Sequence, residues 1–511
     1  MLTEDYFRDL SLSRTQKGSF QDPVNVMSPY WLNNSCSPFT PPNASCVLGN
    51  MASYAINVST AADVVAGLGF ARKHNVRLTI KNTGHDFLGR SAGRGSLALW
   101  THNLKSISLH NYSSEHYNGP AMTLGAGVQA YEASSTAAAG GLRVTGGFCP
   151  TVGLAGGYVQ GGGHGPLEGK YGLAADNTLE FEVVTGDGRH MVASPVQNAD
   201  LFWALNGGGG GTYAVVLSQT TRAHRDGVVA GASLTFNNTD ADAYWAALGA
   251  WQALLLDLDS VPGANTFWGM TEDVFVLYSA TLPDANATTL AAVLDPFVRR
   301  LAELGLPHTY KTTDSPTYHE HFARYTPDLP FGRYPTNTLL GGRLVPRSVV
   351  RDRLPALLAA LRNITSGAGV TGPAVGYPFR VNGIASDVRR ARAGTTPGAS
   401  NSVNPAWRES LYWLNMDVSY DPSRLDVVHA LQAQMNANQD LLKALTPGSG
   451  AYVNEATFDN PSWARDYFGP NYARLLEIKD RYDPDQLFYG PASVGSHRWK
   501  VAQDGRLCRR L

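Results

Sequence analysis

The chain has 511 residues, is 43% hydrophobic and carries a net charge of −1. That is enough apolar material for one large core or two domains, and it leaves no basic excess to hold a phosphate backbone, which excludes a nucleic-acid partner. No apolar run reaches the roughly 20 residues that a membrane helix needs, so a membrane is excluded as well.

Residues 1–50 are irregular and rich in Pro, Asn and Ser. The polar start MLTEDYFRDL lacks the charged-then-apolar pattern of a secretory signal. Yet Asn-x-Ser/Thr acceptors stand at Asn33, Asn43, Asn57, Asn111, Asn237, Asn286 and Asn363. Cys36 and Cys46 sit close together in one loop, as a local disulfide in an oxidising compartment would. The expectation is a mature secreted glycoprotein whose signal has been removed; a cytosolic chain with unused acceptors is the alternative.

Ser59-Thr60-Ala61-Ala62-Asp63 reads as a capped helix start, carried on by VVAGLGFARKH. VRLTIKN then alternates like a strand and delivers the chain into IKNTGHDFLGRSAG, a Gly, Ser and Asn loop around His85. That imidazole alone fits a metal ligand, a base, a covalent anchor or a turn residue. Short strands follow in SLALWTHNL, SISLH and AMTLGAGV. LEFEVVTGDGRHMVAS reads as a hairpin turning at Asp187-Gly188. From about 225 the glycines thin out. Long helical patterns such as ADAYWAALGAWQALLLDL and VVRDRLPALLAALRN alternate with strand-like TFWGMTEDVFVLYSATL, TLLGGRLVP and LYWLNMDVSY. After 450 come AYVNEATF, a helix over Trp463–Tyr482 and YDPDQLF. The fold class expected is α+β, with parts at 1–225, 226–450 and 451–511.

The glycines concentrate in GGLRVTGGFCPTVGLAGGYVQGGGHGPLEGKYG and in LNGGGGGTYAVV. Such clusters bring backbone N–H groups close to an anion. Neither has the strand–helix setting of a dinucleotide fingerprint, and no P-loop is present. So they hold a dinucleotide in another fold, or they are tight loops. No His or Cys spacing suits a metal, and no G-x-S-x-G elbow suits a hydrolase.

Three segments together carry a resemblance. TGHDFLGRSAG is similar to the phosphate-binding loop of the vanillyl-alcohol-oxidase-type (PCMH-type) flavoproteins. GGFCPTVGLAGGYVQGGGHGPLEGKYGLAADN resembles the second signature of their berberine-bridge-enzyme-like branch, and FGPNYARLLEIKDRYDPDQLF resembles that branch's tail. The match covers about 45–225 and 450–490. It implies a PCMH-type FAD domain in two parts and a substrate domain whose antiparallel sheet is covered by helices. It further implies FAD bonded twice, from the 8α-methyl group to His85 and from C6 to Cys149. By the same resemblance Thr83, Gly84, Asp86, Phe87, Gly89 and Ser91 wrap the pyrophosphate, and Arg90 adds charge or faces solvent. Gly146, Gly147, Thr151, Gly153, Gly156, Gly157 and His164 neighbour the cofactor, Gly211 and Val215 close over it, and Asn471 and Tyr472 return to its ring edge.

The implied activity is that of a secreted oxidase acting on an alcohol or hemiacetal, an oligosaccharide or a secondary metabolite. It would work as a monomer and turn O2 into H2O2. A dehydrogenase with poor oxygen reactivity and a flavin-binding glycoprotein without turnover are the alternatives. Where the family's tail reads YxNY, this chain has Tyr452-Val453-Asn454-Glu455. Glu455 is then either the base, raised by burial, or an ion-paired carboxylate; Tyr452 is the second candidate. Tyr412, Asn415 and Asp417 are expected to share a strand face toward the flavin, with Trp413 turned away. Arg343 is expected to hold a substrate group or an internal carboxylate.

Overall fold

In the computed structural model the described residues are 48–326, 337–368, 370–389, 401–421, 424–502 and 504–510, with Asn43 and Ser45. The Cys36–Cys46 pairing and the acceptor at Asn33 lie outside them.

The first helix among the described residues, Ala61–His74, starts where the capping pattern placed it: Thr60 and Asp63 cap each other reciprocally. It stops at Asn75, whose left-handed backbone (φ 51°) ends the turn. It packs on a parallel sheet of β1 (Tyr54–Asn57), β3 (Leu97–Trp100) and β2 (Leu78–Lys81). β4 (Ile107–Ser113), β5 (Asn118–Gly125), β9 (Ala214–Arg222), β7 (Thr178–Thr185) and β8 (His190–Ala193) form an antiparallel sheet in that order. The β7–β8 hairpin turns at Gly188 as its sequence required. β6 (Leu142–Arg143) pairs with β10 (His224–Arg225) beside it.

A seven-stranded antiparallel sheet follows. Its order is β14 (His308–Ser315), β11 (Val229–Asn237), β13 (Val274–Pro283), β12 (Asn265–Met270), β16 (Arg380–Ser386), β17 (Ser410–Ser419) and β15 (Thr338–Pro346). The helices Ala241–Leu258, Ala287–Glu303, Leu354–Ser366 and Leu425–Leu445 supply apolar faces to one core with it. Trp251 sits 5.2 Å from Phe275 and 5.1 Å from Phe297, ring to ring. Each buried Phe of this kind contributes about 1.5–3 kcal/mol. The sheet's other face looks into the cavity described below.

Two helices expected as continuous are broken. VVRDRLPALLAALRN divides into Arg347–Asp352 and Leu354–Ser366, because Pro355 removes a donor and fits only a first turn. Trp463–Tyr482 divides at Gly469-Pro470, where Gly469 takes φ 57°. Ion pairs staple the segments: Arg408 grips Asp176 through two 2.7 Å bonds, and buried Arg143 meets Asp284 at 2.7 Å. Arg343 reaches Asp466 at 3.3 Å, so of its two expected roles the internal one is realised. Among the described residues no helix is long and apolar enough to cross a membrane.

Candidate active site

One cavity of about 580 Å³ lies between the glycine-rich loops and the open face of the seven-stranded sheet. The His85 loop enters it directly from β2. Gly84 takes φ 92°, which an L side chain resists, and so turns the chain to present His85. Thr83, Gly84, His85, Asp86, Phe87, Arg90 and Ser91 all line the cavity. Asp86 braces this loop, accepting from Ser91 N at 2.7 Å and from Leu88 N at 3.1 Å. Arg90 faces inward rather than to solvent and donates to the carbonyls of Pro491 and Ala492, both at 3.2 Å.

The second glycine segment forms the facing wall with Gly147, Cys149, Gly153, Gly156, Gly157 and His164. Its turn is fixed to the start of the Ala130–Ala139 helix. Tyr131 N donates to Pro150 O, Gln129 Nε2 to Thr151 O and Ala130 N to Val152 O, at 2.9, 2.9 and 3.0 Å. Cys149 Sγ thereby comes to 3.9 Å from His85 Nε2, and the Thr151 hydroxyl lies 2.8 Å from that nitrogen. Gly211 lines the wall too.

At the sheet end stand Tyr452, Glu455, Asn415 and Asp417. Glu455 Oε1 accepts from His164 Nε2 at 2.9 Å, and Oε2 accepts from Trp413 Nε1 at 3.0 Å. Arg380 forks onto Asp417 at 2.9 and 2.7 Å, and Asn382 donates to Asp417 at 2.7 Å. Phe148 and Phe267, 5.0 Å apart, form an apolar stretch of the same wall.

This architecture has relatives. A family model described as FAD binding domain matches residues 52–194, and one described as Berberine and berberine like matches 451–495. VAO-type flavoprotein oxidase VAO615 of Thermothelomyces thermophilus is 44% identical over 494 residues, 95% of this chain and 83% of its own. The chain belongs to the berberine-bridge-like VAO-type flavoproteins. The crystal structure of MtVAO615 from Myceliophthora thermophila C1 agrees with this one at a TM-score of 0.89 and 42% identity, over 98% of this chain and 91% of that one. Glucooligosaccharide oxidase of Acremonium strictum, described as carrying a 6-S-cysteinyl, 8α-N1-histidyl FAD, shares the fold at a TM-score of 0.71 and 20% identity, over 88% of this chain and 92% of that one.

The walls of this FAD-linked oxidase fit its cofactor. A Cβ on Gly156 would stand 2.8 Å from Asn82 Nδ2, and one on Gly210 would stand 2.8 Å from Gly157 Cα, so these two positions need glycine for the wall to close. Asn82 Oδ1 and Gln160 Oε1 are buried on this wall with no hydrogen-bond partner among the described residues, which polar atoms of a ligand would supply.

The flavoprotein corrects several expected site residues. Tyr412 is buried in the helix-covered core of the sheet and does not line the cavity. Strand side chains alternate by two, so Trp413, Asn415 and Asp417 share the inward face and Tyr412 the other. Trp413 therefore points in, opposite to expectation. The same parity turns Val215 into the core beneath the Ala61–His74 helix, while Ala214 and Val216 line the cavity. Asn471 and Tyr472 do not reach the lining: Asn471 donates to Ser402 O at 3.1 Å, and Tyr472 Oη meets His497 Nδ1 at 3.0 Å. Gly89 and Gly146 stand behind it; Gly89 turns the His85 loop at φ 75°, and Gly146 borders a small cleft with Tyr318 and Phe322. Sequence reasoning missed Tyr278, Phe267, Arg380 and Asn382. Their strands alternate, but nothing in the sequence says which face meets a cavity.

The electrostatics of Glu455 follow from its two partners. Burial opposes its charge, but the His164 charge, its hydrogen bond and the Trp413 indole outweigh burial and hold the carboxyl below its ordinary range. Burial likewise opposes charge on His164, yet Glu455 and then Glu168 raise its pKa. Glu455 is thus held as a carboxylate by its partners rather than raised by burial, and its basicity depends on the charge of His164. Burial, with Glu455 adding to it, pushes the Tyr452 phenol far up, so Tyr452 stays protonated.

Proposed function

We propose that this chain is a secreted oxidase that holds FAD through His85 and Cys149 and oxidises an alcohol or hemiacetal, with O2 reduced to H2O2. The observation that carries the reading is one cavity bordered by two nucleophiles 3.9 Å apart, His85 and Cys149, and by an ionised Glu455. When bound, the flavin accepts a hydride from the substrate carbon and passes its electrons to oxygen.

The protein's own residues do the rest. Both Glu455 oxygens already accept one hydrogen bond, and each keeps a second lone pair for the substrate hydroxyl proton. His164 stabilises the carboxylate and fixes its direction. Tyr452, held by Asn454 Nδ2 at 2.8 Å, offers its O–H to the substrate oxygen. Phe148 and Phe267 exclude water beside it. Arg380, Asn382, Asn415 and Asp417 form a polar end suited to further hydroxyl groups, as on a sugar or an oxygenated secondary metabolite.

Acid precipitation of the holoprotein is expected to leave flavin colour in the washed pellet. His85→Ala and Cys149→Ala each keep it through the remaining bond, and the double variant loses it. A colourless native pellet sinks the covalent reading. Peroxide release on a panel of alcohols and oligosaccharides tests the activity; bleaching without peroxide marks a dehydrogenase, and no bleaching a binding protein. Secretion is supported by exposed acceptors at Asn57, Asn111, Asn237, Asn286 and Asn363. Endoglycosidase is expected to increase the gel mobility of protein from a secreting host, and unchanged mobility would remove that support.

A further inference from the structure

We propose that Thr151 is the positioning residue that prepares both covalent anchors at once. The inference rests on the two-bond reading above and goes beyond it. The Thr151 hydroxyl lies 2.8 Å from His85 Nε2 and 3.4 Å from Cys149 Sγ, so one oxygen bridges the two nucleophiles. It is held there: the side chain is buried, and three successive carbonyls, those of Pro150, Thr151 and Val152, are tied to the 129–131 segment.

A hydroxyl has one proton to give and two lone pairs to receive. If it donates to His85 Nε2, the imidazole proton moves to Nδ1 and that nitrogen cannot attack. If it accepts from Nε2–H, Nδ1 keeps its lone pair, and the hydroxyl proton is free to point at Cys149 Sγ. The second arrangement alone serves both residues. It fixes the histidine tautomer and stabilises negative charge on sulfur as the sulfur attacks, the thiolate being the competent nucleophile. A direct Sγ–Nε2 contact at 3.9 Å is weaker than either contact through Oγ1.

The balance of each attachment is simple. Nδ1 bonds to the 8α carbon, one methyl hydrogen and the imidazole hydrogen depart as protons, and two electrons pass to dioxygen, giving one hydrogen peroxide. Sγ bonds to the C6 carbon, the hydrogen of that carbon and the thiol hydrogen depart, and a second dioxygen takes the two electrons.

The test compares native protein with Thr151→Val, which keeps the shape and removes the hydroxyl, and Thr151→Ser, which keeps the hydroxyl. Each protein is sampled over time after expression and digested. Mass spectrometry then reads the flavin-bearing fraction of the His85 peptide and of the Cys149 peptide separately. Thr151→Val is expected to slow both attachments about tenfold, the scale of one hydrogen bond in a nearly dry site, and Thr151→Ser to restore both. A valine variant that attaches flavin at the native rate at either site overturns the shared role. So does a serine variant as slow as valine, since that marks a packing effect. Should valine fail to fold, Thr151→Ala asks the same question of the hydroxyl. Native protein with neither peptide modified overturns instead the two-bond reading on which the inference stands.

Discussion

Glu455→Gln is expected to slow flavin reduction by an alcohol substrate about 10²–10⁴-fold, the usual contribution of a positioned base, while flavin content stays native. The amide keeps the size of the carboxyl and can still accept from Trp413, but it cannot take the substrate proton. Anaerobic stopped-flow bleaching reads the rate. A variant within about threefold of native would show that the proton leaves by another route. The native enzyme should also show a defined pH dependence. His164 has a raised pKa and Glu455 a lowered one, so the protonated pair His164⁺–Glu455⁻ dominates at low pH. There the carboxylate is a poor base, its charge already compensated. As pH rises through the raised value of the pair, above the ordinary histidine pKa of about 6.5, the imidazole loses its proton and Glu455 gains basicity. The rate therefore climbs across that interval. The midpoint belongs to the pair rather than to either residue. The groups facing it from neighbouring elements are Glu168, Tyr158 and Tyr452, and burial keeps both phenols neutral throughout. His164→Gln should abolish the climb, and a variant that retains it would assign the titration elsewhere.

Asp483→Ala is expected to cost about 3–5 kcal/mol, the usual penalty for removing one partner of a buried ion pair, and to lower the melting temperature in proportion. Asp483 is fully buried and carries three tasks: it pairs with the Lys479 ammonium, and its two oxygens accept from Leu487 N and Phe488 N, both at 2.9 Å. The Lys479 ammonium also donates to Thr212 O and Phe488 O, both at 2.7 Å. The ion pair thus folds the tail segment on itself and, through Lys479, ties it to the end of the glycine run. Alanine leaves the ammonium buried without its counter-charge and frees two backbone donors. Calorimetry of the purified protein checks the stability, and the ratio of flavin to protein absorbance checks how much cofactor the variant incorporates, which is expected to fall. An unchanged melting temperature would mean that the lysine finds water or another carboxylate.

These results also show where the sequence was readable. Thr60 and Asp63 announced the first helix because capping is local chemistry, and Gly188 announced a hairpin for the same reason. The loop around His85 and the Cys149 segment stood out only through their resemblance to the flavoprotein motifs, because glycine clusters alone suit tight loops as well as a dinucleotide. Strand parity was legible in principle but was misread at Tyr412 and Trp413: residues 412 and 415 differ by an odd step and cannot share a face. The Glu455–His164 pair was not legible, because 291 positions separate the partners and only the fold brings them to 2.9 Å. The same holds for Arg380, whose partner Asp417 comes from a neighbouring strand.

The origin of the cavity walls in the chain has a consequence for biosynthesis. The first wall is made by residues 78–91, but Tyr452, Glu455, Phe488 and Tyr489 come more than 350 positions further along the chain. The compartment for the cofactor is therefore complete only after residue 489 has been made and folded against the first wall. On the covalent reading proposed above, flavin attachment waits for that closure, and bound colour is a molecular record that two distant stretches of the polypeptide have met.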